Sequence, residues 1–185
     1  MKWILLGVLF LVGSPAWALD IPQEHRVSNR SPGYCCWACL ETVGNCHNIS
    51  ALRDLVERRS KEPDVFVWNG YAWIRCHRNR GYMWAVREKL NSLGVAYRSQ
   101  SSGNFNRKLL RQADDFGCVV GMRAGAFGEP HAILLTHYSD TEIKFYDTNH
   151  PRKIFVATRE WFDYYWDGMA IVIKPQEDET VSKKL

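Results

Sequence analysis

The spacing of apolar residues along the chain changes near residue 117, and this change predicts the order of the secondary-structure elements. Before that point, apolar positions recur at the three- and four-residue intervals of amphipathic helices. After it, short apolar runs of strand length alternate with turn residues. We expect strands at residues 118–123, 132–138, 142–146, 153–157 and 169–174. Helices followed by a sheet predict an α+β fold.

The predicted helices are bounded by residues that commonly begin or end a helix. A first helix spans about residues 35–43 and ends at Gly44, because glycine is a frequent breaker at helix C-termini. Ser50 and Asn104 are the expected N-caps of two later helices. Thr158 is the expected N-cap of a short, aromatic-rich helix that precedes the last strand.

The first eighteen residues have the features of a secretory signal peptide. Lys2 provides a positive charge, residues 4–12 form a short apolar run, and residues 16–18 (Ala-Trp-Ala) match the small-x-small cleavage signal. A retained membrane anchor is the alternative, but the apolar run is short for a hydrocarbon core about 30 Å thick. We therefore expect residues 1–18 to be removed and the chain to be secreted or periplasmic.

The rest of the chain has the length of one domain. We expect residues 19–175 to form a single core and the polar residues 176–185 to form a disordered tail. Without Lys2, 23 basic side chains stand against 20 acidic ones. This small and scattered excess argues against binding to nucleic acid or to an anionic membrane. No apolar run after the signal peptide is long enough to span a membrane.

His131 and Asp147 are the strongest pair of candidate catalytic residues. They lie sixteen residues apart, on two predicted strands that a three-residue turn at 139–141 would join. Such a hairpin places His131 opposite Asn149, with Asp147 one diagonal step away on the same face. Either Asp147 or Asn149 can then orient the imidazole, and the register alone does not separate them. His137 lies beside the turn, and we expect it at the surface.

The candidate nucleophile is a thiol about a hundred residues upstream of this histidine. Cys35 and Cys36 both lie at the start of the first predicted helix, where backbone N–H dipoles lower the pKa of a thiol. One stripe at helical spacing contains Cys36, Cys39, Leu40 and Val43, and such a stripe is typical of a buried face. Cys35 lies at its edge. Cys35 is therefore the preferred nucleophile, with Cys36 as the alternative.

The six cysteines also allow two other interpretations. All six follow the signal peptide, and an exported protein can keep disulfides, so packing or disulfide roles are the plainest alternative. If one thiol stays free, the other five cannot all pair within the chain. A zinc site would need Cys36 and Cys39 together with the Cys-His pairs at 46–47 and 76–77, whose spacing is irregular for zinc modules. We predict no metal and no cofactor.

Several segments together resemble papain-fold cysteine peptidases, most closely the bacteriocin-leader-processing branch, the double-glycine peptidases. The run from Cys35 is similar to that branch's Cys-x-x-Ala-x-Leu helix start, whereas Cys36-Trp37-Ala38 matches the Cys-Trp-Ala of the papain branch. HAILLTHYSDTEIKFYDTN resembles the family's histidine strand and acidic turn. REWFDYYWDGMAIVIKP is similar to its closing aromatic helix, Trp-x-Gly motif and last strand. The resemblance covers about residues 29–175.

The resemblance implies a helical half packed on an antiparallel sheet, with the active site in the cleft between them. It implies Cys35 as nucleophile, His131 as base and Asp147 as the residue that orients the base. The family usually places glutamine six residues before the nucleophile as an oxyanion donor. This chain has Asn29 there, with the same amide on a shorter arm, whereas counting from the next cysteine gives an arginine.

Two functions from different classes follow from these features. The favoured one is a secreted cysteine peptidase, or a related thiol amidohydrolase, that acts on a peptide or protein substrate. The alternative is a catalytically inactive binding module of the same fold, with its cysteines in disulfides. Counting free thiols would separate the two.

Overall fold

The computed structural model describes residues 18–29, 33–68, 71–76 and 81–174. Residues 1–17 of the expected signal peptide (residues 1–18) and the whole polar tail lie outside the described residues, so the predicted domain boundaries stay predictions. Within the described ranges, every helix is too short or too polar to cross a membrane.

The described residues form five α-helices, three short 3-10 helices and eight strands. The α-helices are α1 (Cys35–Cys46), α2 (Leu55–Ser60), α3 (Met83–Ser92), α4 (Ala113–Phe116) and α5 (Arg159–Tyr165). The 3-10 helices are Gln23–His25, Ser50–Leu52 and Leu110–Gln112. The strands are β1 (Val65–Trp68), β2 (Trp73–Cys76), β3 (Tyr97–Gln100), β4 (Cys118–Met122), β5 (His131–Tyr138), β6 (Glu142–Tyr146), β7 (Ile154–Thr158) and β8 (Trp166–Ile173).

Six of the strands form one antiparallel sheet in the order β3-β8-β4-β5-β6-β7. The strands β1 and β2 pair separately as a hairpin, in a segment for which the sequence pattern predicts no element. Helices α1, α2 and α3 precede all six strands of the large sheet in the chain, whereas the short helices α4 and α5 lie between its strands. The predicted α+β class is therefore confirmed.

The large sheet has a hydrophobic core on each face. Successive residues of β5 alternate between the two cores, with Leu134 packed among residues of α1 and Ile133 packed against the side that carries α5. Such alternation follows from the two-residue period of a strand. Because both faces are covered, β5 is buried along almost its whole length. The sheet therefore offers a rigid support for residues at its strand ends.

Helix α1 is longer than predicted, because Gly44 continues it instead of ending it. The helix runs on to Cys46, and a Cβ atom at Gly44 would lie 2.4 Å from Cβ of Leu52. Glycine is thus required here for close packing against the following 3-10 turn and not for a left-handed C-terminal conformation. The helix is buried on nearly all sides, including Trp37 at 0 % exposure. It forms the centre of the helical half.

Two other predicted helices are broken into shorter pieces. Asp54 adopts a left-handed conformation with φ of 53°, which separates the 3-10 turn at Ser50–Leu52 from α2. After residue 104, the side chains of Asn104 and Asn106 accept hydrogen bonds from backbone N–H groups two residues further on. These local bonds compete with helix formation. Only Leu110–Gln112 and α4 are helical in that segment.

The second half of the chain follows the predicted pattern closely. Strand β6 has the predicted bounds, and β8 begins at Trp166, three residues before the predicted start. The expected cap of α5 is confirmed, because Thr158 Oγ1 accepts a hydrogen bond of 3.2 Å from Trp161 N–H. Sequence patterns therefore predicted the sheet better than the helical half.

Candidate active site

Strands β5 and β6 bring His131 and Asp147 together through a register that differs in detail from the prediction. Tyr138 pairs with Ile143, so the turn is one residue longer than expected. A bulge at Thr136 offsets that extra residue, and Leu134 then pairs with Tyr146. Continued along the strands, this register sets His131 opposite Asn149, as predicted. The expected three-residue turn is wrong, but the register at the end that carries His131 is unchanged.

A short hydrogen bond joins the histidine to the carboxylate. His131 Nε2 donates to Asp147 Oδ1 at 2.8 Å, and the backbone N–H of Asn149 donates to the same oxygen at 2.9 Å. Burial alone raises the pKa of Asp147, which is 1 % exposed, but the hydrogen bonds from His131 and Asn149 outweigh it. The pKa of Asp147 therefore lies below its ordinary value. The carboxylate stays ionised beside the imidazole at neutral pH.

Cys35 completes the group from the other side of the cleft. It is the first residue of α1, and its Sγ accepts a hydrogen bond of 3.3 Å from the backbone N–H of Ala132, next to His131 in β5. The thiol also interacts with the imidazole of His131, and this interaction raises the pKa of the histidine. Because Nε2 of His131 faces Asp147, Nδ1 is the nitrogen left for the thiol. Thiol, imidazole and carboxylate thus form one continuous chain of contacts.

The contacts of His131 favour its protonated form. Burial alone lowers the pKa of this histidine, but its hydrogen bond to Asp147 and its interactions with Cys35 raise the pKa from 6.5 to about 9. A hydrogen-bonded carboxylate stabilises the imidazolium, and so does a thiolate on the opposite nitrogen. The geometry therefore suits a proton held on the imidazole at neutral pH.

The neighbouring cysteines belong to the core, as the helical stripe predicted. Cys36 and Cys39 are 1 % and 0 % exposed, and Cys39 Sγ lies 3.8 Å from the carbonyl oxygen of Ala132. Burial and the adjacent Cys35 raise the pKa of both thiols well above the ordinary value. Cys35 is half-buried, so it is the most accessible of these three thiols.

The two candidate asparagines contact each other. Asn29 Nδ2 donates to Asn149 Oδ1 at 3.1 Å, and the backbone N–H of Asn29 donates to the carbonyl of Thr148 at 2.8 Å. The carboxylate of Asp147 holds the imidazole, while the amide of Asn149 holds Asn29. Asn29 therefore lies against the loop after β6, on the carboxylate side of His131.

An aromatic side chain that the sequence reasoning missed covers the imidazole. The ring of Phe127 lies 4.8 Å from that of His131, centroid to centroid, and Phe127 in turn contacts Trp161 at 6.2 Å. Phe127 belongs to the loop between β4 and β5. A single aromatic residue in the glycine-containing run GAFGEP was the only sequence signal for it.

A cavity of about 400 Å³ opens between the helical half and the sheet, where the predicted cleft lies. Cys35 and His131 lie on its wall, and the start of α3 contributes Tyr82 and Met83. Ser102 and Asp167 line the side that belongs to the sheet and its loops. The cavity is large enough for one or two residues of a bound peptide on the scale of known ligand pockets, about 300–1,000 Å³.

The remaining candidates are placed as follows. Free thiols are found at five cysteines of the described chain: Cys35, Cys36, Cys39, Cys46 and Cys118. His77, one of the possible zinc ligands, lies outside the described residues, and His47 hydrogen-bonds the carbonyl of Phe116. Within the described ranges, no three His, Cys, Asp or Glu side chains are grouped so as to hold a metal. The expectation that His137 is exposed is wrong, because it pairs with Asp114 of α4 and is 9 % exposed.

The chain matches no family model, and no curated protein matches it in sequence. Solved structures do match its fold. One is the peptidase domain of Streptococcus ComA, a bi-functional ABC transporter involved in a quorum-sensing pathway, with 18% identity and a TM-score of 0.54. That match covers 81% of this chain and 97% of the ComA domain.

A second structure is a double-glycine motif protease from an AMS/PCAT transporter, in complex with the leader peptide. It is 14% identical, has a TM-score of 0.58, and the match covers 86% of this chain and 94% of that one. The peptidase domain of Streptococcus mutans ComA is 15% identical, with a TM-score of 0.50 over 82% of this chain and 99% of the other. At such identities the similarity establishes the fold. The resemblance found in the sequence is confirmed at that level: this chain has the papain-like fold of the double-glycine peptidase domains.

Proposed function

We propose that this chain is a cysteine peptidase, or a related thiol amidohydrolase, in which Cys35, His131 and Asp147 act as a catalytic triad. The observation that carries the proposal is the chain of contacts from Cys35 to His131 and on to Asp147, on the wall of a cavity. A nucleophile, a base within hydrogen-bond reach and a group that orients the base are the parts that thiol catalysis needs. The shared fold supports the same conclusion.

The first half of the reaction forms a thioester. Cys35 Sγ, as a thiolate, attacks the carbonyl carbon of the scissile amide, and the carbonyl oxygen takes the negative charge. His131 then gives its proton to the amide nitrogen, so the C–N bond breaks and the amine leaves. The raised pKa of His131, about 9, means that the imidazole carries this proton before attack. The acyl group stays on Cys35.

The second half hydrolyses the thioester. A water molecule loses a proton to His131, now neutral, and its oxygen attacks the acyl carbon. The C–S bond breaks, the carboxylic acid leaves, and the proton on His131 restores the imidazolium beside the thiolate of Cys35. Asp147 keeps the proton on the correct nitrogen and stabilises the imidazolium in both halves, without taking the proton itself.

The oxyanion needs hydrogen-bond donors close to the thiol. The backbone N–H of Cys35 lies in the first turn of α1, where N–H groups have no acceptor within the helix. The side-chain amide of Asn29 is the second proposed donor. One of its two N–H groups is bound to Asn149 Oδ1, so only the other is free for the oxyanion, and its contribution is expected to be smaller than the 100- to 1,000-fold that one preorganised donor typically supplies.

A peptide or protein is the proposed substrate. The double-glycine motif protease that shares this fold was solved with a leader peptide, and the cavity here lies beside the thiol in the same fold. The charged start, apolar run and Ala-Trp-Ala signal at residues 1–18 support export, so we propose a secreted or periplasmic enzyme. The sequencing of the N-terminus of the exported protein tests this part, and an intact Met1 would contradict it.

A cleavage assay tests the proposed reaction without a known substrate. The mature chain is incubated with a pool of synthetic peptides, and mass spectrometry detects new peptide ends. The parent is expected to cleave some members, and Cys35→Ala to lower every cleavage rate by more than about 1,000-fold, because the nucleophile is lost. Cys46→Ala is the matched control, since it removes a half-buried thiol from the other end of α1 and should retain cleavage.

The same assay separates the enzyme from an inactive binding module. Cleavage that survives in Cys35→Ala would assign the activity to another residue. A parent that cleaves nothing, and in which no cysteine reacts faster than the others with a small alkylating reagent, would favour the binding module.

A further inference from the structure

The residue between Trp166 and Gly168 is held rigidly at the start of β8. Trp166 is 1 % exposed, and its Nε1 donates to the carbonyl of Met169 at 2.8 Å. Gly168 has a φ of 97°, and a Cβ atom there would lie 2.7 Å from the carbonyl oxygen of Asn104. The Trp-x-Gly motif thus fixes the backbone on both sides of Asp167. Asp167, the middle residue of the motif, lines the cavity.

The carboxylate of Asp167 is oriented by two neutral donors. The backbone N–H of Met169 donates to Oδ1 at 2.7 Å, and the hydroxyl of Ser102 donates to Oδ2 at 2.9 Å. A Cβ atom at Gly121 would lie 2.7 Å from both carboxylate oxygens, so only glycine leaves room for them on β4. The carboxylate therefore has one well-defined position in the cavity wall.

That position is within reach of a peptide bound at the thiol. Met122 of β4 pairs with His131 on one side and with Trp166 on the other, so two strand spacings separate Asp167 from the strand of His131. At about 4.8 Å for each spacing, this is roughly 10 Å. An extended peptide advances about 3.3 Å per residue. The carboxylate can therefore meet a side chain one to three residues away from the scissile bond.

Within the described ranges, no neighbouring cation compensates the negative charge of Asp167. Among the described residues that line the cavity there are two carboxylates, Asp167 and Glu129, and no lysine or arginine. Neither carboxylate has an ion-pair partner in the described part of the chain. Each oxygen of Asp167 accepts one hydrogen bond from a neutral donor and keeps capacity for a second. The carboxylate of Asp167 can therefore accept a charge-assisted hydrogen bond from a cationic group of a ligand.

We propose that Asp167 forms a cation-binding subsite, which takes the ammonium or guanidinium group of a lysine or arginine within three residues of the scissile bond. The inference rests on the proposed thiol hydrolase, because it names a specificity-determining residue for that cleft. Ser102 and the backbone of Met169 act as positioning groups for the carboxylate. Gly121 leaves the space that the carboxylate and the bound cation share.

Peptidyl acyloxymethyl ketones that alkylate Cys35 test this subsite without a known substrate. Each probe carries glycine at the electrophile and, two or three residues away, either lysine or norleucine, which has a similar length and no charge. The readout is the ratio of the two second-order rates of Cys35 alkylation, so effects on the thiol itself cancel. We expect the parent to prefer lysine by about tenfold, which corresponds to about 1.4 kcal/mol.

Asp167→Asn keeps the shape and the acceptor for Met169 N–H but removes the charge, and it should bring the ratio to about one. Asp115→Asn removes an exposed carboxylate outside the cavity and is the control for net charge. It should keep the lysine preference.

A ratio near one in the parent at every probe position, with Cys35 still alkylated, overturns the subsite and leaves the thiol hydrolase intact. An Asp167→Asn variant that slows both probes equally and keeps the ratio also overturns it, because Asp167 would then act only on the fold. If no probe modifies Cys35 in the parent, while another cysteine reacts, the proposed function itself fails. The measured rates separate the first two outcomes, and peptide mapping of the alkylated chain identifies the third.

Discussion

Strand β5 carries a histidine–carboxylate pair at each end, and the two pairs differ in their surroundings. At its start, His131 Nε2 lies 2.8 Å from Asp147 Oδ1, beside the Cys35 thiol and the cavity. Near its end, His137 Nδ1 lies 2.6 Å from Asp114 Oδ1 of α4. A short histidine–carboxylate bond is therefore not enough to mark an active site. The thiol on the second nitrogen and an adjoining cavity are what distinguish the first pair.

Because their surroundings differ, we expect the two histidine–carboxylate pairs to have different roles. The His137 pair links β5 to α4 and is expected to contribute to stability alone. The His131 pair is one part of a group that also needs Cys35, a residue almost a hundred positions earlier in the chain.

Replacing each histidine by alanine should give the largest contrast. His131→Ala removes the general acid and base and is expected to lower the cleavage rate by roughly 100- to 10,000-fold. His137→Ala should leave cleavage close to the parental rate and lower the free energy of unfolding by about 1–3 kcal/mol, since a charge-assisted hydrogen bond is lost. The peptide-pool assay and urea denaturation measure the two effects. Equal losses of cleavage in both variants would contradict the assignment.

The next test compares Asp147 with Asn149, the alternative orienting residue. Asp147→Ala should lower the cleavage rate by roughly 100- to 10,000-fold, because the imidazolium loses its counter-charge and its orientation. Asn149→Ala should have a much smaller effect, since the side chain of Asn149 contacts Asn29 and not the imidazole. Rates of thiol-directed probe labelling can replace cleavage as the measurement. A slow Asn149→Ala beside a fast Asp147→Ala would make Asn149 the orienting residue.

The pKa of His131 predicts how stability depends on pH. Folding raises this pKa from about 6.5 to about 9, so the stabilisation is complete below pH 6.5 and is lost as the pH rises through 9. The free energy of unfolding of the parent, relative to His131→Asn, should therefore fall by on the order of 2 kcal/mol between about pH 6 and pH 10. Urea titrations at several pH values measure it. A difference that is constant or grows over this range would show that the contacts do not hold the proton on His131.

Phe127 should give the smallest effect. Its ring covers the imidazole of His131 and takes no part in the proposed reaction steps. Loss of an aromatic contact worth about 0.5–1.5 kcal/mol predicts a drop of about twofold to tenfold in the cleavage rate of Phe127→Ala. Phe127→Leu, which keeps an apolar cover, should recover part of the rate. Identical rates in all three proteins would leave the ring without a role in positioning His131.

The sheet and the candidate catalytic residues on it could be predicted because their signals are local. Strand β6 has the predicted bounds, and Thr158 caps α5 as expected. The register that brings His131 to Asp147 was also predicted, although by a turn that is too short. The bulge at Thr136 compensates for the extra residue in the turn, and no pattern in the sequence predicts this bulge.

The helical half was harder to predict because tertiary contacts override local preference there. Gly44 lies inside α1, since the close approach of Leu52 requires a residue without a side chain. Asp54 interrupts the predicted second helix, because its backbone is left-handed, and the neighbouring sequence does not predict this conformation. Phe127 and Asp167 gain their importance from contacts across the fold, with His131 and with Ser102. Their neighbours in sequence give no indication of these partners.

Iodoacetamide labelling with peptide mapping tests the central claim most directly, because it asks which cysteine is paired with His131. We expect Cys35 to react first at about pH 6, with Cys36 and Cys39 protected by burial. A thiol of pKa about 8.5 reacts roughly 80-fold more slowly at pH 6 than at pH 8, and pairing with the His131 imidazolium should make the labelling rate of Cys35 less dependent on pH than that. In His131→Ala, the ordinary pH dependence should return. A fast Cys36, or a Cys35 whose labelling has the same pH dependence with and without His131, would contradict the triad.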